Sequence, residues 1–377
     1  MLKRIALWMF VIAVGLAAAV AGGLAAERYV QMAALADAFS RLRLFHELRR
    51  AALEDYLQSM ASDVRAASEN ANVVDAAEKL SFAWSTMGPE ARKKLSRQYV
   101  GENPFPPSER DKLEAAEDGS YYSRYHREFD DWAKRFREHF GYYDVFLISN
   151  AGDVIYTVAK ETDFATNLKA GPFRNSPLAE VFGRSVANPA EAVTFSDFAR
   201  YPPSDNAPAA FAGHAIQKDG KVIGVFAVQI PSEPLNDLLH FAAGMGATGE
   251  TYLVGPDYLM RSQSRFTNTL TVLETKVDNA SVRDGESGKS GAHIVADYRG
   301  TPVLSVYAPV DFGGQPFVLL AEIDEAEVLS ETRFWLVLAT AALSGLAAAG
   351  LLAWHCQTSL SGPAKGAGRH KTMSTDA

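Results

Sequence analysis

The sequence predicts an α+β fold: two tandem modules of antiparallel sheet on a long N-terminal helix, flanked by two transmembrane helices. Three observations predict it. Uncharged apolar runs lie near both ends, over residues 5–26 and 334–354. Apolar residues then recur at three- and four-residue steps from Leu35 through Phe39, Leu42, Phe45, Ala52, Tyr56, Met60 and Val64 to Ala67, the signature of one helix face. Last, a strand–turn–strand pattern occurs twice, at Tyr143–Tyr156 and at Gly249–Ser262.

The chain has 377 residues, 47% hydrophobic and 22% charged, enough for one large or two medium domains with real cores. A net charge of −8 without a basic, aromatic-interleaved stripe argues against nucleic-acid binding. The single cysteine, Cys356, rules out an intramolecular disulfide and a multi-cysteine zinc site.

Residues 1–4 carry Lys3 and Arg4 and are expected in the cytoplasm, ahead of a first span over 5–26. That run exceeds the apolar region of about 7–15 residues in a cleaved signal peptide, so an uncleaved anchor is expected. The second run, 334–354, is followed by His355, Lys365, Arg369, His370 and Lys371 and has Trp335 and Trp354 near its ends. Basic flanks and interfacial tryptophans are what a span with a cytoplasmic tail requires. Residues 27–333 are then outside, and 355–377 form a short disordered cytoplasmic tail.

Residues 27–141 read as a helical stalk and helical subdomain, broken at Pro104-Phe105-Pro106-Pro107. Ser108 with Asp111 resembles a capping box after that break. Tyr125, Phe129, Trp132, Phe136 and Phe140 then continue at helical spacing. Residues 142–240 form the first sheet module: the hairpin at Asn150-Ala151-Gly152-Asp153, a helical excursion to about Val186, and strands over 192–197, 209–217 and 222–230. Residues 241–333 repeat the order, with strands at 252–254, 259–262, 293–298, 303–310 and 317–322. Each module is a PAS-like sheet with its helices on one side.

These features resemble the double Cache sensor domains of bacterial chemoreceptors, membrane sensor kinases and cyclases. The resemblance covers about residues 27–354. It is carried by Phe195-Ser196-Asp197-Phe198, by the Gly220–Val225 strand, by the Gly249–Ser262 hairpin and by the run from Asp297 to Val310. It implies a homodimeric inner-membrane receptor with a periplasmic sensor domain. It also implies a small-molecule pocket in the membrane-distal module, here the first. The segment after Trp354 carries no HAMP linker or output domain, so the chain is expected to be cut short of its output or to signal through a separate partner. A membrane-anchored interaction protein that pairs with full-length receptors is the alternative.

No Walker loop, HExxH, GxSxG or Cys-His arrangement is present, so no catalytic residue, metal or cofactor is expected. Gly244–Gly249 has the spacing of a dinucleotide loop but precedes a strand instead of opening a helix. Candidate ligand residues are Tyr143 and Tyr156 on the hairpin, Arg174 in the excursion, and Asp197, Tyr201, Asn206 and Phe211 around the later strands. Asp197 is expected to hold an amine and Arg174 a carboxylate, the latter through its planar fork. The Arg-x-Trp-Tyr core of the family's amino-acid binders is absent. In the second module Arg261, Ser262, Arg265, Asp297, Tyr298 and Arg299 read either as an anion site or as braces of turns.

Overall fold

The computed structural model describes residues 2–190, 192–241 and 243–330. It divides into two compact units, residues 1–36 with 328–377 and residues 37–327. Helix α1 (Leu2–Ser68) contributes chain to both. In the smaller unit Gln31 Nε2 donates to Glu27 Oε1 one turn earlier, at 3.2 Å. Among the described residues no helix is long and apolar enough to cross a membrane. The first apolar run falls on the start of α1, where the side chains of residues 1–13, 15, 16, 18 and 19 are not described. The second run, 334–354, and the tail lie outside the described residues.

In the larger unit, α1 buries Leu53, Leu57, Met60 and Val64, spaced three and four apart, as the sequence periodicity demands. Asn70 caps α2 (Ala71–Thr86), its side chain accepting from the Asn72 amide at 2.9 Å. A short helix, α3 (Ala91–Ser96), runs into a π-turn over Arg97–Gly101. The expected capping box is not used: Ser108 and Asp111 lie in a 3-10 segment, Pro107–Lys112, without a side-chain cap. Asp111 instead pairs with Arg137 at 2.8 Å. The working cap of α4 (Tyr121–Phe140) is Ser120, which accepts from the Ser123 amide. Gly141, at φ 74°, ends that helix in the left-handed conformation.

The first module is a six-stranded sheet. Its strands are β1 (Asp144–Ser149), β2 (Val154–Thr157), β3 (Thr194–Phe195), β4 (Ala199–Tyr201), β5 (Ala207–Lys218) and β6 (Lys221–Ile230). The order is β2-β1-β6-β5-β3, with β4 also pairing β5. Helix α5 (Pro177–Ala187) lies in the excursion, and α6 (Ser232–His240) follows β6. The second module holds β7 (Glu250–Val254), α7 (Ala280–Glu286), β8 (Gly291–Ala296), β9 (Pro302–Phe312) and β10 (Gln315–Asp324), with sheet order β7-β10-β9-β8. The predicted repeat is therefore present: β1, β6 and β5 stand as β7, β10 and β9. The strand expected at 259–262 is reduced to bridges, Val254 with Met260 and Leu259 with Lys276. That expected at 192–197 shrinks to Thr194–Phe195.

One expectation of layout changes. The first sheet is covered on both faces, not one. Val145, Leu147, Ala210, Ala212, Phe226 and Val228 face α1, α2 and α4 in one core. Their neighbours Phe146, Ile148, Ala209, Phe211, Val225 and Ala227 face α5 in another. Strand side chains alternate faces, so a sheet covered twice reads as continuous apolar runs, and β1 and β6 do.

Candidate functional site

The face under α5 carries the polar exceptions to that apolar pattern. Cross-strand register sets Asp144 opposite Gln229, and Gln229 opposite Phe211, so the three share one row. The loop after β2 brings Glu161 and Asp163 to this row. Lys160 (φ 54°) and Ala165 (φ 61°) within that loop, and Asp205 (φ 52°) and Asn206 (φ 57°) at the β4–β5 connection, all adopt left-handed backbone. Non-glycine residues held there store strain, which gathers where a site over-determines its loops.

The contacts of the row are specific. Tyr201 donates to Asp163 Oδ2 at 2.6 Å, and Asp163 is fully buried. Asp163 Oδ1 has no hydrogen-bond partner apart from the influence of its own amide. Tyr143 donates to Glu161 Oε1 at 2.7 Å and Ser204 to Oε2 at 2.6 Å. Gln229 Nε2 donates to Ser204 at 3.2 Å. Asp144 accepts from the amides of Val145 and Ala159 and from the Thr157 hydroxyl. Tyr143 is exposed and Glu161 partly so, which makes them the solvent side of a nest whose floor is Asp144, Asp163, Tyr201 and Gln229.

Burial governs the electrostatics. It pushes Asp163 up to about 8, reinforced by the charges of Asp144 and Glu161 and opposed by the Tyr201 hydroxyl. Burial raises Glu161 to about 7, against the pull of Ser204 and Tyr143. It raises Asp144 to about 6, against hydrogen bonds from Thr157, Ala159 and Val145. The three acids thus lie close enough to raise one another's values, with Arg137 and Lys160 the cations within charge range of Asp144.

The sequence-predicted residues divide. Tyr143, Tyr201 and Phe211 belong to this nest, Tyr201 and Phe211 meeting edge to face at 4.9 Å. Tyr156 points to the opposite face, donating to Asp130 Oδ1 at 2.9 Å. There Asp130 also meets Lys160 at 3.3 Å and Lys134 at 2.6 Å. Burial pushes Asp130 up, but those two cations and His126 hold it below the usual carboxylate value. Burial, with Lys160 beside it, lowers His126 to about 3. Arg174 is exposed and reaches only its own loop, Gly171 O at 3.4 Å. It lines a shallow 280 Å³ depression with Asp197. Asp197 itself is committed to Arg261, at 2.7 Å to Nε and 2.9 Å to Nη2, and so does not hold out its oxygens to an amine. Asn206 sits on the rim of a 420 Å³ cleft that Arg200, Arg261 and Gln263 also line, and its carbonyl accepts from Arg200.

Asp144, Glu161, Asp163, Ser204 and Gln229 were not singled out from the sequence. Asp144 and Gln229 left a signal, each being a polar residue at an inward position of an otherwise apolar strand. Asp163 left none, because its position depends on how the loop folds over the sheet.

The second module has the equivalent polar pair: Glu250 stands opposite Glu322, as Asp144 stands opposite Gln229. Here the module's own side chains fill the place. Glu250 accepts from Ser264 and the Arg265 amide on Oε1 and from Tyr298 on Oε2. Tyr252 donates to Glu322 Oε2 at 2.8 Å, and Glu322 Oε1 is buried without a hydrogen-bond partner. The candidate anion ligands of this module act as braces. Arg265 holds Gly249 O, Ser262 accepts from the Leu253 amide, and Asp297 gathers Arg299 and the Thr301 amide. Arg261 lies over Gly255, where a Cβ would come within 2.3 Å of its guanidinium carbon, so only glycine fits the Val254-Gly255-Pro256 turn.

No protein-family model matches the chain, and no curated protein matches it. Solved structures do. The ligand-binding domain of the Campylobacter jejuni chemoreceptor Tlp3, in complex with 4-methylisoleucine, aligns at 12% identity and TM-score 0.45, over 79% of this chain and 94% of that one. The sensor domain of the V. cholerae histidine kinase DctB aligns at 8% identity and TM-score 0.43, over 76% and 98%. The Pseudomonas fluorescens chemoreceptor CtaA domain with L-serine aligns at 12% identity and TM-score 0.36, over 73% and 99%. These structural neighbours are sensory and ligand-binding domains of chemoreceptors and a histidine kinase.

Proposed function

We propose that the chain is a bacterial inner-membrane sensory receptor of the chemoreceptor type. Its periplasmic region, residues 27–333, binds a small molecule in the distal module, and binding shifts the second span, 334–354, relative to the first, 5–26. The observation that carries this is the contrast between the modules. The distal row opens toward solvent through the exposed Tyr143 and the half-buried Glu161, while the Glu250–Glu322 row of the second is covered by Tyr252 and Tyr298; each module keeps one buried carboxyl oxygen without a donor, Asp163 Oδ1 and Glu322 Oε1. Signal transmission requires only that the ligand prefer one arrangement over the other. Output through a separate signalling partner belongs to the same proposal.

A homodimer is also proposed. Leu44 and Leu48 stand one turn apart on α1 with 61% and 52% of their surface exposed, an apolar strip suited to a second copy of the stalk. The same strip favours the alternative reading, an anchored protein that pairs with other receptors. Melting of the full chain in detergent against a metabolite library separates the two readings. Stabilisation by at least one small molecule is expected of a sensor. No stabilisation, together with mixed dimers on sedimentation with a receptor stalk, would favour the pairing protein.

A further inference from the structure

We infer that the Gly244–Gly249 loop is an internal latch, a backbone anion nest that grips the Glu327 carboxylate and so couples α1 to the chain leaving β10. Its use in signalling rests on the sensing role proposed above; the latch itself does not. The loop has the glycine spacing of an anion-binding turn, and it does hold an anion, one that the chain itself supplies.

Three donors meet at Glu327. The Ala247 amide donates to Oε1 and the Thr248 amide to Oε2, each at 2.8 Å, and the Thr248 hydroxyl also donates to Oε2. That hydroxyl accepts in turn from the amide of Asp324, the last residue of β10, at 3.0 Å. Arg265 donates to two carbonyls of the loop, Gly249 O at 2.6 Å and Ala247 O at 3.2 Å. Ala247 O shares a peptide plane with the Thr248 amide, so Arg265 orients that donor. Burial pushes Glu327 up, but Thr248, the two amides and Arg265 hold it below the ordinary carboxylate value. It therefore meets the amides as an anion, and such charge-assisted bonds are about twice as strong as neutral ones.

The glycines allow the grip at one end and the packing at the other. Gly246 stands at φ 83°, and a Cβ there would lie 2.4 Å from Glu327 Oε1. Gly244, at φ 85°, lies against α1, where a Cβ would come within 2.9 Å of Phe45 Cζ. Just before it, Arg49 of α1 donates to Phe241 O, and its guanidinium lies 5.0 Å from the centroid of that ring. The loop thus has one end on α1 and the other on Glu327. A second contact also joins α1 to β10, His46 Nε2 with Leu319 O at 3.1 Å. The test has to tell the two routes apart.

Amide exchange of the full chain in detergent, resolved at single residues, does so. Glu327→Gln sets an NH2 group against one of the nest's donors. It is expected to speed exchange at Ala247 and Thr248 about tenfold and to leave Leu320, in the middle of β10, unchanged. Phe45→Ala is expected to speed exchange at Asp324 about three- to tenfold in the parent, and to add nothing in Glu327→Gln. Unchanged exchange at Ala247 and Thr248 in Glu327→Gln overturns the latch. A Phe45→Ala effect that persists in full without the Glu327 carboxylate runs through His46 instead and overturns the coupling. So does the lack of any Phe45→Ala effect at Asp324 in the parent. If Glu327→Gln also exposes Leu320, Glu327→Asp takes its place, because the shorter side chain withdraws the carboxylate from the nest, and the same outcomes decide. The sensing role is decided separately by the library melt.

Discussion

Replacing Asp197 with alanine lowers the stability of the chain by about 1.5–3 kcal/mol, the loss expected when a charged partner of a buried guanidinium is removed. The guanidinium of Arg261 is only 2% exposed and is shared between Asp197 and Asp257. It also lies over the Phe317 ring at 5.6 Å. Asp197 is in the first module and Arg261 in the second, so this contact is a polar weld between them, alongside Arg200 with Glu274 and Gln315 with the Phe195 carbonyl. Without Asp197 the charge stays buried with the half-exposed Asp257 as its carboxylate partner and the Leu259 carbonyl as a further acceptor. Arg261→Met is expected to cost less, because it leaves behind two acids that can turn to water and fills the volume with an apolar chain. Denaturant melts of the two variants give the order. A smaller loss for Asp197→Ala than for Arg261→Met would contradict the assignment of the buried charge.

Between about pH 6.5 and 8, the unliganded chain loses stability as pH rises. Asp163, Glu161 and Glu322 have folded values of about 8, 7 and 7, far above ordinary carboxylates. An acid raised by folding binds more protons folded than unfolded. Its contribution is fully present below the unfolded value and disappears as pH climbs through the folded one. Each such group gives a slope of up to about 1.4 kcal/mol per pH unit in its window. The facing groups fix where the window is clean. His126, lowered by burial, costs stability only as pH falls below about 6.5, where the unfolded ring gains its proton. Asp144, at about 6, has largely ionised by then. Lys160 is lowered by burial and acts in the opposite sense at the alkaline end. Tyr143 and Tyr201 are raised, so both stay protonated throughout. Melts of the parent and Asp163→Asn across this range check the prediction. The parent should fall with pH and the variant should be flatter. Parallel curves would mean that Asp163 is already ionised in the fold.

Much of the fold was legible because it rests on periodicity. The α1 stripe from Leu53 to Val64, the hairpin at Gly152 and the β5–β6 turn at Asp219-Gly220 each follow from local rules, and the structure has each of them. What escaped depends on tertiary context. Ser120, not Ser108, caps α4, because proline geometry turns 107–112 into a 3-10 segment. The strand at 259–262 fails because Arg261 must turn in to meet Asp197. The candidate site was legible only where a residue sits on a strand or directly beside one. Tyr143, Tyr201 and Phe211 could be named from their positions. Glu161 and Asp163 could not, since the strained loop from Lys160 to Ala165 has no repeating pattern to read. Asp197 looked available for a ligand because its partner lies 64 residues away in sequence.

The central claim is that the acids of the distal module form the ligand site. Calorimetric titration of a compound that stabilises the chain in the library melt, into the full chain and into Asp163→Asn, tests it most directly. The variant should bind at least about tenfold more weakly. Equal affinity in the two proteins would contradict it.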